Sequence, residues 1–584
     1  MVRIVIAFVF ALLLSVSSVI GSATAKNWNT GTGKQKTSQS LEKFTTDKAI
    51  LGDTTLIKII QKQLNELGFY KGNINGAFDN RTKGAVIEFS QMFNEKPYNV
   101  LNQALVDRIA LVHAGRFDSP FNQKGLIKPT AYLPATSVFT TDIRKDLNNC
   151  DDCRVTTFLL ASGDMDGDGT EEIVLGTHRH NPKWAVINKP SPLKIISFKN
   201  GKGEPLKTIV GNALPSRVHE REGIIRDFNN DGLGDLFVAA HGHDAQPFVG
   251  EQNILILSGP NEHFDASDTH LPKLSDMAHG VDAADIDADG DLDLFIITNE
   301  NQQNILPYVL LNDGKGKFSR KKISVFLDKS IVDFNTSPRK HRAQYSTVRF
   351  ADLNNDGHPD LILLARGEAP EDIKKFRETR RSLVIFNDGF GKFPNSNIVE
   401  LPTDRWGYGT FTNDAEAIDL NSDGLKDLIL TQSTRLANNG AWRGHYLQVL
   451  INRGDRFVDR TAERLWRQGY ASNPNEFQFA DKTTMADVDN DGDVDIVTRS
   501  LGPSFKQNFK SAVVQIGIND GMGGFLAADP KWFTNGKEHH GVAPITGDFD
   551  GDGVADIASY RLNYISFNDQ TVGVRLSIHK VAQN

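Results

Sequence analysis

Asp285, Asp287, Asp289 and Asp293 occupy positions 1, 3, 5 and 9 of the run Asp285-Ile286-Asp287-Ala288-Asp289-Gly290-Asp291-Leu292-Asp293. Carboxylates at this odd spacing, with glycine at position 6 for a sharp turn, are the hard oxygen donors that a cation such as Ca2+ takes from a short loop. The pattern occurs seven times. The other copies are Asp164, Asp166, Asp168 and Glu172; Asp227, Asn229, Asp231 and Asp235; Asp352, Asn354, Asp356 and Asp360; Asp419, Asn421, Asp423 and Asp427; Asp487, Asp489, Asp491 and Asp495; and Asp548, Asp550, Asp552 and Asp556. Converging carboxylates repel unless a cation lies between them, so up to seven Ca2+ ions are expected. Asn229, Asn354 and Asn421 each remove one charge, which predicts three weaker sites. An EF-hand needs a bidentate Glu at position 12. Here that position is Leu175, Val238, Ile296, Leu363, Leu430, Thr498 or Ser559, so the EF-hand reading fails in all seven.

The first aspartates of successive copies are 63, 58, 67, 67, 68 and 61 residues apart. A period of this length signals a modular array. Each loop is entered by a short apolar strand, as in Val348-Arg349-Phe350-Ala351, and left by another, as in Leu361-Ile362-Leu363-Leu364. A third strand ends at a glycine-rich turn, Asn312-Asp313-Gly314-Lys315-Gly316-Lys317-Phe318 in one unit, and Asn-Asp-Gly between apolar runs is a hairpin signal. A fourth strand follows. Four antiparallel strands in seven units predict a mainly β chain, a seven-bladed β-propeller over residues 136–584. Too little chain follows the last loop to finish its blade, so Ser137–Asp142 is expected to supply the missing strand and remove the open edges. Arg453-Gly454-Asp455 falls in the turn position of its unit and reads as a hairpin variant.

These loops and strands resemble the integrin-type FG-GAP or VCBS repeats, in which the same Ca2+ loop joins the first two strands of a blade. Residues 54–112 differ in character. Leu56, Ile59, Ile60, Leu64 and Leu67 recur at helical spacing, Gly68 ends that helix, and further helices carry Ala85, Val86 and Phe89, then Leu101, Leu105 and Ile109. With Gln61, Leu67-Gly68-Phe69-Tyr70, Gly72, Asn75-Gly76 and Thr82, this segment resembles the small three-helix peptidoglycan-binding domain of cell-wall proteins. Asn75 stands where that family has Asp, and Ser90 where it has Gln. The resemblance implies a tether to peptidoglycan or another cell-wall glycan, without catalytic residues of its own.

Residues 1–25 read as a signal peptide. Arg3 is followed by an apolar stretch, Ile4 to Leu14, and Ala23-Thr24-Ala25 fits the cleavage site. No other segment is apolar enough to span a membrane, so the expected location is periplasmic, cell-envelope or extracellular. Residues 26–53 read as a flexible linker and 113–135 as a connector. Cys150 and Cys153 are expected to form a local disulfide or to remain idle thiols rather than a redox pair. The formal charge of −8 is modest, and nothing in it suggests a nucleic-acid surface.

Binding chemistry is expected at the end of the ring opposite the carboxylate loops. Candidate residues there are His178, His180, Arg221, His241, His243, His279 and His540. His241, His243 and His279 either hold a transition metal or are hydrogen-bonded loop histidines. The leading expectation is a face that binds a glycan or a protein ligand. The alternative is a polysaccharide-acting enzyme of lyase or dehydratase type using this face. No nucleophile motif, phosphate loop or zinc-protease motif is present, and no catalytic residue is assigned.

Overall fold

A computed structural model describes residues 45–66, 69–92, 99–117, 136–142, 154–180, 188–298, 305–331, 344–366, 382–402, 410–434, 443–465, 483–501, 512–527, 545–562 and 573–579, apart from a few positions inside these ranges. The segment read as a signal peptide, most of the expected linker and connector, Cys150, Cys153 and His540 lie outside the described residues, as does the side chain of His180.

The N-terminal module consists of α1 (Lys48–Gly52), α2 (Thr54–Glu66), α3 (Asn80–Met92) and α4 (Gln103–Phe117). Each of the last three starts where a short polar side chain caps free backbone N–H groups. Asp53 accepts from Thr55 and Leu56, Asp79 from Arg81 and Thr82, and Asn102 from Leu105. Those N–H bonds, Thr82 foremost, hold the Asp79 carboxyl below the usual range. The buried stripe of α2 is Ile57, Ile60, Gln61 and Leu64. Ile59, expected in the core, is 48% exposed, because Ile57, two residues earlier, takes the inward position. Leu101 is buried but belongs to a two-residue strand paired with Thr45–Thr46 rather than to a helix.

Gln61 is the polar centre of this module. Its Oε1 accepts the N–H groups of Asn75 and Gly76, while its Nε2 lies 2.9 Å from the Ala77 carbonyl and 3.0 Å from Thr82 Oγ1. Asn75 Oδ1 accepts the Ala77 N–H, which is the part an aspartate would play there. Gly76 has φ +79°, and a Cβ on it would lie 2.7 Å from the Thr54 carbonyl oxygen. Gly76→Ala is therefore expected to destabilise the module by about 2 kcal/mol, combining a left-handed backbone with a steric clash. Protease susceptibility confined to the module would check this, and an unchanged digest would contradict it.

The rest of the described chain forms seven four-stranded antiparallel sheets. The first strands are Arg154–Gly163, Glu220–Arg226, Ala278–Ala284, Gln344–Ala351, Thr410–Ile418, Thr483–Ala486 and Ile545–Gly547, taken as blades 1 to 7. Each packs against the next, and that of blade 7 returns to that of blade 1, so the inner strands close a ring. Second strands such as Asp235–Ala240 and Asp293–Thr298 are buried along their whole length. This explains their continuous apolar runs. In blade 7 the outer strand is Thr136–Asp142, paired antiparallel to Gly573–His579.

Position 2 of every loop is an apolar anchor: Met165, Phe228, Ile286, Leu353, Leu420, Val488 and Phe549 are all buried. The glycine-rich turns do more than reverse the chain. Asn312 of blade 3 donates to the Phe228 carbonyl of blade 2, and Asn452 of blade 5 donates to Leu353 of blade 4, both at 2.7 Å. Gly391 of blade 4, at φ +73°, lies so close to blade 3 that a Cβ would stand 2.5 Å from the Ile286 carbonyl oxygen. The turn of one blade thus clamps the loop of its neighbour. Arg453-Gly454-Asp455 occupies such a turn, with Gly454 at φ +78° and the Arg453 N–H bonded to Arg456.

The module rests against this ring. Helix α4 packs on the short helix Thr461–Arg464 of blade 5, and the buried Arg108 donates to the Asp459 carbonyl.

Candidate functional site

The carboxylate loops share one wiring. In six of them the position-1 aspartate accepts the N–H groups of positions 5 and 6, as Asp285 does from Asp289 and Gly290, each at 3.0 Å, whereas Asp164 accepts those of positions 4 and 6, Gly167 and Gly169. The position-5 aspartate accepts from position 7, as Asp289 does from Asp291. Position 9 closes the loop. Asp293 takes the Ile286 N–H on one oxygen and the Asn312 N–H of the third strand on the other. Asp235, Asp360, Asp427 and Asp495 make the same two bonds. Position 9 therefore staples the loop to the sheet besides offering lone pairs to an ion. Positive φ at positions 4 and 6 winds each loop tightly; Ala288, at φ +61°, holds a conformation usually left to glycine or asparagine.

Four loops bring three carboxylates together with ligand oxygens within 4.8 Å: Asp164, Asp166 and Glu172; Asp285, Asp287 and Asp289; Asp487, Asp489 and Asp495; Asp548, Asp550 and Asp556. These are the four loops without asparagine at a ligand position. In two of the others the amide turns inward on its own loop, with Asn229 donating to Asp231 and Asn354 to Asp356. A metal fits the four. Asp287 Oδ1, Asp489 Oδ1 and Glu172 Oε1 are buried without hydrogen-bond partners, which is costly unless something else satisfies them. Burial, with the neighbouring carboxylates adding to it, pushes Glu172 up to about 8, Asp293, Asp495 and Asp556 to about 7, and Asp489 to about 6. A cation would reverse that tendency.

The opposite end differs from a set of solvated tips. His178, His241 and His279 are buried, and the structure brings them together around His219, a residue the sequence reading did not single out. Ring centroids run His178–His219 3.8 Å, His219–His241 4.8 Å and His241–His279 5.8 Å. Most first strands bulge near their start, so side chains there tuck inward. His178 Nε2 bonds the Glu220 carbonyl and His279 Nδ1 the Ser346 carbonyl, each at 2.9 Å and each in the next blade. His243 is half-buried, its N–H bonded to Val249, and Arg221 is exposed. The expected trio of His241, His243 and His279 is therefore replaced by a row through His219. Among the described residues no histidine belongs to a group of three ligand atoms within 4.8 Å.

Glu220 is fully buried, and neither carboxyl oxygen makes a hydrogen bond of ordinary geometry. Burial drives its carboxyl up to about 8, against weaker pulls from the Glu220 and Thr177 backbone N–H groups. A carboxyl whose value is raised on folding weakens the fold as pH climbs from its unfolded value toward the folded one. Wild-type stability should thus carry a falling contribution between pH 4.5 and 8, on the order of 2–4 kcal/mol in all. Glu220→Gln should remove that slope and melt higher than wild type at pH 8; parallel melting curves across this range would refute it.

Between the two ends, the channel holds a cavity of about 380 Å³. Arg349 of blade 4 crosses it, 2.7 Å from Glu222 of blade 2 and 2.6 Å from Asp414 of blade 5. Asp282 of blade 3 lines the same space and is pushed up by burial, with Arg349 pulling the other way.

The FG-GAP-like repeat family matches residues 227–296, 285–363 and 487–559. The chain carries FG-GAP repeats folded as a β-propeller. A putative peptidoglycan binding domain matches residues 54–97, covering α2, α3 and the Gln61 centre. No curated protein matches the chain. Solved structures similar to the FG-GAP propeller include a GH43 β-1,3-galactosidase at 10% identity, covering 72% of this chain and 88% of the other, TM-score 0.28. A B. megaterium levansucrase is 11% identical over 72% and 95% of the two chains, TM-score 0.31. A Trypanosoma rangeli sialidase is 9% identical over 73% and 54%, TM-score 0.28. Among the described residues no helix is long and apolar enough to cross a membrane.

Proposed function

We propose that this is an exported, cell-envelope protein whose N-terminal module binds peptidoglycan and whose Ca2+-loaded propeller presents a ligand-binding face to a glycan or protein. The observation that carries this reading is the pairing of a peptidoglycan-binding module with a propeller built on carboxylate loops, in one chain and in direct contact through α4. The metal ligands are the position 1, 3, 5 and 9 residues, and the four loops with no asparagine among those ligands hold the ion most tightly. Bound Ca2+ neutralises the converging carboxylates and stiffens the turns; the position-2 anchors and the clamping turns pass that rigidity from blade to blade. The contact through Arg108 makes the module a fixed part of the particle, so wall binding also orients the propeller.

The test is sedimentation of the full chain with purified cell walls in Ca2+. Co-sedimentation is expected, and removal of residues 41–117 should abolish it. Retained binding would move the tether to the propeller, and no binding by the full chain would end the wall-anchor reading.

A further inference from the structure

The cavity in the channel is lined unevenly. Among the described residues, blades 6, 7 and 1 give it no charge, only hydroxyls and apolar side chains such as Thr484, Ile545 and Ala161, while blades 2 to 5 give it every charged group. Those charges are sorted by depth. Arg226 ends its strand opposite Asp235, and Lys426 directly precedes Asp427, so both stand at the end that carries the loops, and both are exposed. Asp282 and Glu416 lie two residues before the ends of their strands, and Glu222 and Asp414 four. At about 3.3 Å per residue they are roughly 7 and 13 Å deeper than the rim. The interior thus holds four carboxyls against one guanidinium, and that guanidinium is already engaged: Arg349 Nη2 reaches Glu222 and Asp414, and Nη1 donates to the Val348 carbonyl at 2.7 Å. None of the loop ligands lines this space.

We propose that this channel binds a short peptide with free ends, two or three residues long, that enters from the loop end with its ammonium group inward. An acidic cleft walled by protein focuses a negative potential, which draws a cationic group in and keeps an anionic one out. Asp282 and Glu416 meet the ammonium; Asp282 keeps lone pairs for it beyond the bonds it accepts from the Ala283 and Phe350 N–H groups. The rim cations take the carboxylate, Arg226 foremost, because a guanidinium pairs with a carboxylate at two points. An extended chain spans about 3.3–3.6 Å per residue, so two or three residues cover about 7–11 Å, the interval between rim and acids. A free amino acid is too short to reach both, a simple amine leaves the rim cations unmatched, and a simple carboxylate is repelled by the interior. The uncharged arc of blades 6, 7 and 1 receives small apolar side chains. A volume of about 380 Å³ suits a ligand of this size. The site is separate from the buried histidines at the far end, and it does not depend on wall binding by the N-terminal module.

The experiment is calorimetric titration of the full chain, in excess Ca2+, with trialanine, its N-acetylated form and its C-terminal amide. One equivalent of trialanine is expected to bind. Acetylation should weaken binding about tenfold or more, and amidation should weaken it less, because the rim is wet. Arg226→Gln should reproduce the loss seen on amidation, and Glu416→Gln the loss seen on acetylation. Acetylated peptide that binds as well as the free one would overturn the proposal, as would free alanine binding as tightly as trialanine, or no binding of trialanine at millimolar concentration. Should Glu416→Gln fail to fold, the end-blocked peptides on the wild-type protein still decide.

Discussion

Chelating Ca2+ at pH 8 is expected to lower the melting temperature of the propeller by roughly 5–10 °C. An ion at ten times its dissociation constant stabilises a fold by about 1.4 kcal/mol per site. The four loops with no asparagine at a ligand position together would contribute about 5–6 kcal/mol, spread over a large cooperative unit. The pH dependence gives the sharper signature. In the absence of an ion, position 9 is raised to about 8 at Glu172 and to about 7 at Asp293, Asp495 and Asp556. Acids raised on folding weaken the fold as pH rises above their unfolded values, and the loss is complete above the folded ones. Chelated protein should therefore become more stable on acidification from pH 8 to 5. Protein in millimolar Ca2+ should become less stable over the same interval, because protons displace the ion. Melting curves at both pH values, with and without chelator, measure this directly. An unchanged melt on chelation would remove the metal from the account of these loops. Replacing Asp287 or Asp489 with Asn should also cost more than making the corresponding Asp change at Asn229, which should raise affinity.

Arg349→Met should be the most damaging single substitution in the channel. The guanidinium is held between Glu222 and Asp414, and burial there makes the pairing tight in both directions. Removing one partner of a buried ion pair costs about 3–5 kcal/mol, because the remaining charges lose their counter-charge without regaining water. Here two acids are stranded on two different blades, and Asp282 loses the cation beside it. The variant should melt far below wild type at pH 8 and recover part of the loss at pH 5, where the stranded acids protonate. Combining it with Glu222→Gln and Asp414→Asn should restore more stability than the single change leaves. A variant that melts like wild type would show that the crossing pair contributes no net stability.

The repeat was legible because its chemistry is local. Loop ligands, turn and flanking strands all fall within about 15 residues, so spacing alone identifies them. The closing strand was legible too, because the last unit lacks enough chain to finish its own sheet. What spacing could not reveal is everything that depends on one blade facing another. Arg349, Glu222 and Asp414 occur in three separate repeats with no pattern that pairs them. His219 and Glu220 lie at the start of a strand and look like a polar tip; the bulge beside them turns them inward. A clue was available in His219-Glu220-Arg221-Glu222, four ionisable residues leading into an apolar strand where two would cover an edge. Ile59 misled for a simpler reason: α2 carries apolar residues at 56, 57, 59 and 60, and sequence period alone does not choose between adjacent faces.

The strand Thr136–Asp142 has a consequence for how the molecule comes into being. Its partner Gly573–His579 lies roughly 430 residues later, a far greater separation than any hairpin in the blades. During synthesis the earlier strand emerges first and waits with its edge exposed while six blades form behind it. The ring seals only when the last sheet arrives. Closure thus acts as a completeness check: a chain stopped short of Gly573 leaves Thr136–Asp142 without its partner and is left to proteases and aggregation, whereas arrival of Gly573–His579 pairs it.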